Sequence, residues 1–200
     1  MKLPKSSSGK LRYKKEIVHL LTDSIRTKVK VLEQLVPVIN EAAEFLVKTL
    51  SGGNKILIFG NGGSAADSQH MAAELIGKLS VKRRALPAIA LTTDTSNLTA
   101  LANDFGYDVV FQRQIEALGQ KGDVAIGIST SGHSPSVLAG IKSARKKGLK
   151  TIAFSGRDGG PLSQMADIAI VIPSTSTQRI QESHITVAHI LCEIIEAHFS

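Results

Sequence analysis

Two short segments of the sequence concentrate glycine and hydroxyl groups where the chain must turn: Gly60-Asn61-Gly62-Gly63-Ser64 and Ser129-Thr130-Ser131-Gly132-His133-Ser134. Each follows a short apolar run and precedes a segment of helical periodicity, which places it at the carboxyl end of a strand and the amino end of a helix. Open α/β sheets bind their ligands there. Glycine lets the backbone approach a ligand closely, and the free N–H groups and dipole of a helix start favour an anion. In the second segment the hydroxyls of Ser129, Thr130, Ser131 and Ser134 can donate to phosphate oxygens without adding charge. Ser134 is equally placed to cap the helix whose first turn holds Pro135, but a cap uses only one of these hydroxyls. The spacing fits neither GxGxxG nor GxxxxGK(S/T), so the loops point to a small phosphorylated ligand rather than a dinucleotide or a nucleoside triphosphate.

A second group of residues could do chemistry on such a ligand. His70 and Glu74 lie one helical turn apart on the segment after the glycine loop and share a face. Such a pair can ligate a divalent metal, act as base and partner, or form an ordinary surface pair. Near the carboxyl terminus Gln181, His184 and His189 interrupt an otherwise apolar helical pattern of Ile180, Ile185, Val187, Ile190, Leu191 and Ile194. A lone histidine on such a face is more often a hydrogen-bonded core residue than a ligand.

The elements that must position these groups follow from periodicity. Residues 14–50 carry apolar side chains at helical spacing and are expected to form one or two amphipathic helices, stopped by Ser51-Gly52-Gly53-Asn54. Beyond them, strands are expected at 55–59, 88–91, 123–128, 150–154 and 168–172. Helices are expected at 64–78, at 96–118 with a break near 104–108, and at 134–147, 160–166 and 177–198. Five apolar strands separated by helices imply an α/β fold: a doubly wound, five-stranded parallel sheet flanked by helices, preceded by a long helical segment. The expected organisation is a flexible basic segment at 1–13 and a single domain at 14–200.

Composition narrows the setting. With 200 residues, 42% hydrophobic and 20% charged, the chain can bury one sizeable core. Its net charge of +7 suits an anionic partner. Part of that charge lies in Lys2, Lys5, Lys10, Arg12, Lys14 and Lys15, beside Ser6-Ser7-Ser8-Gly9. Aromatic residues make up 4% of the chain without basic-aromatic interleaving, which argues against a nucleic-acid stacking platform. No apolar stretch reaches the roughly 18 to 20 residues of a membrane span. The lone Cys192, in an apolar helical pattern, reads as a buried thiol, and a cytoplasmic protein is expected.

Four ordered segments, GNGGSAADSQHMAAEL, TALANDFGYDVVFQRQIEALG, GDVAIGISTSGHSPSV and RIQESHITVAHIL, together resemble the sugar isomerase (SIS) domain, and within it the phosphoheptose (sedoheptulose 7-phosphate) isomerases of bacteria. The resemblance covers about residues 15–199. It implies that Ser129, Thr130, Ser131 and Ser134, with Ser64 nearby, hold a substrate phosphate, and that Asn61, Gly62, Gly63, Asn103, Asp104 and Gln181 line the sugar. It implies one zinc ion per subunit at His70, Glu74, Gln181 and His189, with Glu74 and His189 also the catalytic base and acid. It further implies a homotetramer with active sites at subunit interfaces, and the first step of ADP- or GDP-heptose biosynthesis for lipopolysaccharide. His184 acquires no role.

Three positions depart from the common family pattern: His133 where Asn often stands, Ala73 where a second Glu often precedes Glu74, and Gln178 where an acid often precedes Arg179-Ile180-Gln181. A non-catalytic alternative is an adaptor of the same fold that binds the replication initiator protein. Such adaptors lack the residues matching Glu74 and His189, and this chain has both. Spacing adds a constraint, because residues eight apart on a helix are displaced by about 12 Å along its axis. Either the last helix begins after Gln181, or a site using both Gln181 and His189 draws them from two subunits.

Overall fold

The computed structural model describes residues 11–200. The flexible segment expected at 1–13 therefore lies almost wholly outside the described residues. Helices α1 (Lys14–Gln34) and α2 (Val36–Ser51) come first, with Pro37 in the opening turn of α2, where its missing N–H costs no helical hydrogen bond. Strands β1 (Ile56–Gly60), β2 (Ala88–Ala90), β3 (Val124–Ile128), β4 (Lys150–Gly156) and β5 (Ile168–Ile172) then alternate with α3 (Gly63–Ile76), α4 (Thr95–Phe105), α5 (Val110–Leu118), α6 (Pro135–Lys146) and α7 (Gly160–Met165), and α8 (Thr177–Phe199) closes the chain. The break expected near 104–108 is Gly106, at φ 88°, followed by a 3-10 turn, Tyr107–Val109.

The five strands pair in parallel in the order β2-β1-β3-β4-β5. Every residue of β1 and β3 is buried, because helices cover both faces of the sheet. Ile56 and Ile58 of β1 face a core shared with Leu46, Leu50, Met71, Leu75, Val187 and Leu191, from α2, α3 and α8. Leu57 and Phe59 point the other way, toward Phe111, Ile115, Val137 and Ile141 of α5 and α6. At the amino edge of the sheet, Lys55 and Asp123 pair at 2.6 Å, just outside the strands that the sequence reading began one residue too early.

From β1 the chain winds to β2 on one side, whereas β3, β4 and β5 extend on the other. The winding reverses between β1 and β3, which are neighbours in register, with Gly60 opposite Ile128. Crevices at the carboxyl ends of strands where winding reverses are the ligand sites of open α/β sheets. The two loops rich in glycine and hydroxyl groups both leave the sheet at this point.

The two amphipathic helices expected over 14–50 are both present, but the apolar stripe of α1 does not enter this core: only Thr27 and Val31 are buried, whereas Ile17, Leu21, Ile25 and Leu32 remain 54–69% exposed. Ile190 and Ile194 of α8 are exposed as well. None of the helices among the described residues is long and apolar enough to cross a membrane.

Phe59 carries the strand that delivers the first loop, fully buried and tilted against Phe111 with ring centroids 5.2 Å apart. Truncation to Ala should cost about 3–5 kcal/mol of stability. A denaturant titration that moves by less than 1 kcal/mol, on the order of a conservative core swap, would show that this contact does not fix the strand.

Candidate active site

The loop after β1 turns through Gly62, at φ 57°, into α3, and no side chain caps the helix start. The loop after β3 leads into α6. Ser134 occupies the N-cap position there, yet its hydroxyl makes no capping bond. It accepts instead from Asn61 Nδ2 at 2.8 Å, so the two loops are tied side chain to side chain. Two uncapped helix starts and the hydroxyl loop thus meet at one place, an arrangement suited to an anion. Ser129 is buried, its N–H bound to Phe154 of β4. Ser64 is buried at the opening of α3. His133 is exposed but folds back on its own loop, with Nδ1 2.6 Å from the Ser131 carbonyl.

Along the same helix His70 and Glu74 lie together, Nε2 to Oε1 3.2 Å. His189 on α8 completes the group, its Nε2 3.0 Å from that of His70 and the rings set edge to face. One ligand atom from each of the three residues falls within 4.8 Å of the others. Two imidazole nitrogens aimed at each other beside a carboxylate form a donor set that suits a divalent metal, and three protein ligands with an open position are the pattern of catalytic zinc sites. Both rings must present Nε2 unprotonated to do so.

Gln181 stands elsewhere. Helix α8 begins at Thr177, before Gln181, so Gln181 and His189 ride one continuous helix and the first of the two alternatives raised by their spacing does not hold. Gln181 packs on Gly63, so closely that a Cβ there would meet its Nε2 at 2.5 Å. With position 63 beside 181 and 70 beside 189, α3 and α8 run parallel, and Gln181 lies by the glycine loop, on the order of 10 Å from the histidines along the helix. Asn103 and Asp104 end α4, bonded to each other at 2.8 Å. Both are exposed; the turn that follows them is what reaches the first loop, through Tyr107, whose hydroxyl is 2.8 Å from Asn61 Oδ1. Gln178, the substituted acid, accepts from the Ser176 hydroxyl at 3.0 Å.

Several groups escaped the sequence reading. Ser136 also accepts from Asn61, at 3.0 Å. Asp67 lies one turn before His70, its Oδ2 buried without a hydrogen-bond partner among the described residues. Burial lifts its carboxyl above the ordinary range and the nearby His70 opposes the lift. Arg83 caps the end of α3, donating to the Glu74 carbonyl at 2.6 Å and to that of Gly77 at 3.0 Å. Glu196 seats the following loop by accepting from the backbone N–H groups of Val81, Leu79 and Ser80, which hold its carboxyl below the usual range. The i, i+3 placement of Asp67 before His70 was a usable signal. The Arg83 and Glu196 contacts had none, being tertiary.

Comparison with known proteins agrees with the motifs. The SIS domain family matches residues 20–156. A phosphoheptose isomerase of Aquifex aeolicus is 52% identical over 181 residues, which span 90% of this chain and 95% of that protein. The chain belongs to the phosphoheptose isomerases. A solved phosphoheptose isomerase from Neisseria gonorrhoeae superposes with a TM-score of 0.88 at 44% identity, covering 92% of this chain and 98% of that one. Another, from Francisella tularensis, gives 0.90 at 36%, covering 94% and 100%. The family's five-stranded parallel sheet is thus the fold described above; the two loops sit at the carboxyl ends of its first and third strands, and the His70, Glu74, His189 cluster lies about two helical turns back along α3.

His184, between the two ends of this site on α8, is a hydrogen-bonded core residue. It is fully buried, its Nε2 2.9 Å from the Ser155 carbonyl and its ring edge-on to Phe154. Burial pushes its imidazole down from 6.5 to about 4, so the folded protein stays unprotonated there while an unfolded chain takes up a proton below about 6.5. Stability is therefore full at neutral pH and falls as pH drops from about 6.5 toward about 4, by on the order of 3 kcal/mol. His184→Phe should show a shallower loss of Tm across that window than the parent. Parallel curves would mean that His184 is not the group being titrated.

Proposed function

We propose that this chain isomerises sedoheptulose 7-phosphate to D-glycero-D-manno-heptose 7-phosphate, the entry step toward nucleotide-activated heptoses. The observation that carries the reading is the convergence of Glu74 and His189, from two parallel helices, one of which opens at the loops suited to a phosphate. Ser129, Thr130, Ser131 and Ser134, with Ser64, hold the phosphate and fix the distance to the reacting carbons. Asn61, Gly62, Gly63, Asn103, Asp104 and Gln181 line the sugar. Glu74 removes a proton from C1 of the ketose, giving an ene-diol, and returns a proton to C2. His189 moves the hydroxyl proton that passes from O1 to O2, so the carbonyl shifts from C2 to C1 with no net change in atoms. Zinc, one ion per subunit, would be held by His70, Glu74 and His189 with Gln181, and would supply Lewis acidity to the sugar oxygens. A cytoplasmic setting agrees with the lone Cys192, buried and with its thiol pushed up to about 12 by burial.

The assembly is a homotetramer with its sites at subunit interfaces. Two features support it. Gln181 and the histidine cluster of one chain stand about two helical turns apart, too far to share one ion. The uncovered face of α1 offers a second copy a continuous apolar stripe of the kind that marks interaction surfaces. The adaptor alternative draws no support, since the residues whose loss defines it are both in place.

Incubation with sedoheptulose 7-phosphate should yield aldoheptose phosphate, and Glu74→Gln and His189→Ala should each lower kcat by about 10²–10⁴, the usual worth of a general acid or base. Chelation should lower turnover in the parent, and zinc titration by calorimetry should show one site per subunit that is lost in His70→Ala. Turnover unaffected by both catalytic substitutions would sink the assignment. For the assembly, Leu21→Asp with Ile25→Asp should convert the tetramer to smaller species in sedimentation and abolish turnover; a fully active monomer would overturn the shared site.

A further inference from the structure

Tyr107 opens the 3-10 turn after Gly106, half exposed, with its hydroxyl 2.8 Å from Oδ1 of Asn61. On the far side of that amide, Nδ2 reaches Ser134 Oγ at 2.8 Å and Ser136 Oγ at 3.0 Å. An amide nitrogen carries two hydrogens and no lone pair, so in this arrangement both serine oxygens accept and both serine protons remain to be donated elsewhere. The serine oxygens stand 3.3 Å apart, so one hydroxyl can bond the other and leave one proton for a ligand. Ser131 is prepared in the same way, its oxygen accepting from the His133 N–H at 3.2 Å.

The same heavy atoms allow the opposite polarity. With the amide turned over, Asn61 Oδ1 would take up the serine protons, and Tyr107 would have to accept from Nδ2. A phosphate dianion offers only acceptor oxygens, so a loop in that state would meet it with lone pairs. A phenol resists that role, because its oxygen lone pair is delocalised into the ring while its O–H is a strong donor.

We propose that Tyr107 sets the polarity of this hydrogen-bond chain: by donating to Asn61 Oδ1 it keeps Nδ2 on Ser134 and Ser136 and so holds the Ser134 hydroxyl as a donor to the substrate phosphate. Tyr107 is a positioning residue, acting through Asn61, and the inference rests on the reading of residues 129–134 as the phosphate loop.

The test is a double-mutant cycle on Tyr107→Phe and Asn61→Ala, read by calorimetric Kd for inorganic phosphate and by KM and kcat for sedoheptulose 7-phosphate. Tyr107→Phe removes one hydroxyl from an exposed site, so Tm should hold. Loss of one hydrogen bond's worth of ordering should weaken phosphate binding and raise KM by about three- to tenfold with kcat unchanged. In the Asn61→Ala background the same substitution should have no further effect. Unchanged phosphate affinity in Tyr107→Phe, or an equal loss in both backgrounds, overturns the proposal. Phosphate affinity unmoved by Ser129→Ala and Ser134→Ala would instead overturn the phosphate-loop reading, whatever Tyr107 does.

Discussion

The rest of this structure depends on the pairing of β1 with β3. A parallel sheet wound outward in both directions must reverse somewhere, and here the reversal sets Gly60 opposite Ile128. Two strand ends, each followed by a helix that starts without a side-chain cap, are thereby brought side by side. Each helix start leaves N–H groups that neither helix can satisfy internally. Separately they would be ordinary turns, but next to each other they concentrate donors and positive dipole ends in one crevice. Asn61 turns that proximity into a connection, because its amide spans from one loop to the serines of the other.

The second half of the site depends on a different contact, the parallel packing of α3 on α8. Glycine at position 63 lets Gln181 approach the amino end of α3, which brings α8 close enough for His189 to meet His70 further along. Groups without catalytic chemistry maintain this alignment. His184 ties the middle of α8 to the end of β4 through the Ser155 carbonyl. Arg83 takes up carbonyls at the end of α3, including that of Glu74, while Glu196 of α8 gathers the loop that follows. The carboxylate and imidazoles therefore sit on rigid helices whose ends are fixed.

Most of the fold was legible in the sequence because strands buried on both faces read as unbroken apolar runs, such as Ile56-Leu57-Ile58-Phe59, and glycine and hydroxyl clusters mark where they end. The His70 and Glu74 pair was legible because four-residue spacing on a helix is itself a geometric statement. Its closure by His189 was not, since nothing in a linear pattern says which helix faces which; that link came from the family resemblance. Tyr107 was invisible for another reason. An exposed aromatic on a 3-10 turn carries no periodicity, and its meaning lies in one hydrogen bond to a residue far back in the chain.

The periodicity of α1 shows the same limit from the other side. Its apolar spacing was read correctly as amphipathic, but a period says only that a face is to be covered, not by what. Within one subunit that face stays bare, and so does the route by which Gln181 could join the histidines. Both shortfalls have the same remedy if a neighbouring copy covers α1 and carries its own residues to the edge of the crevice. Burial of the stripe would then drive the association that completes the site, so that assembly and chemistry would share one hydrophobic cause.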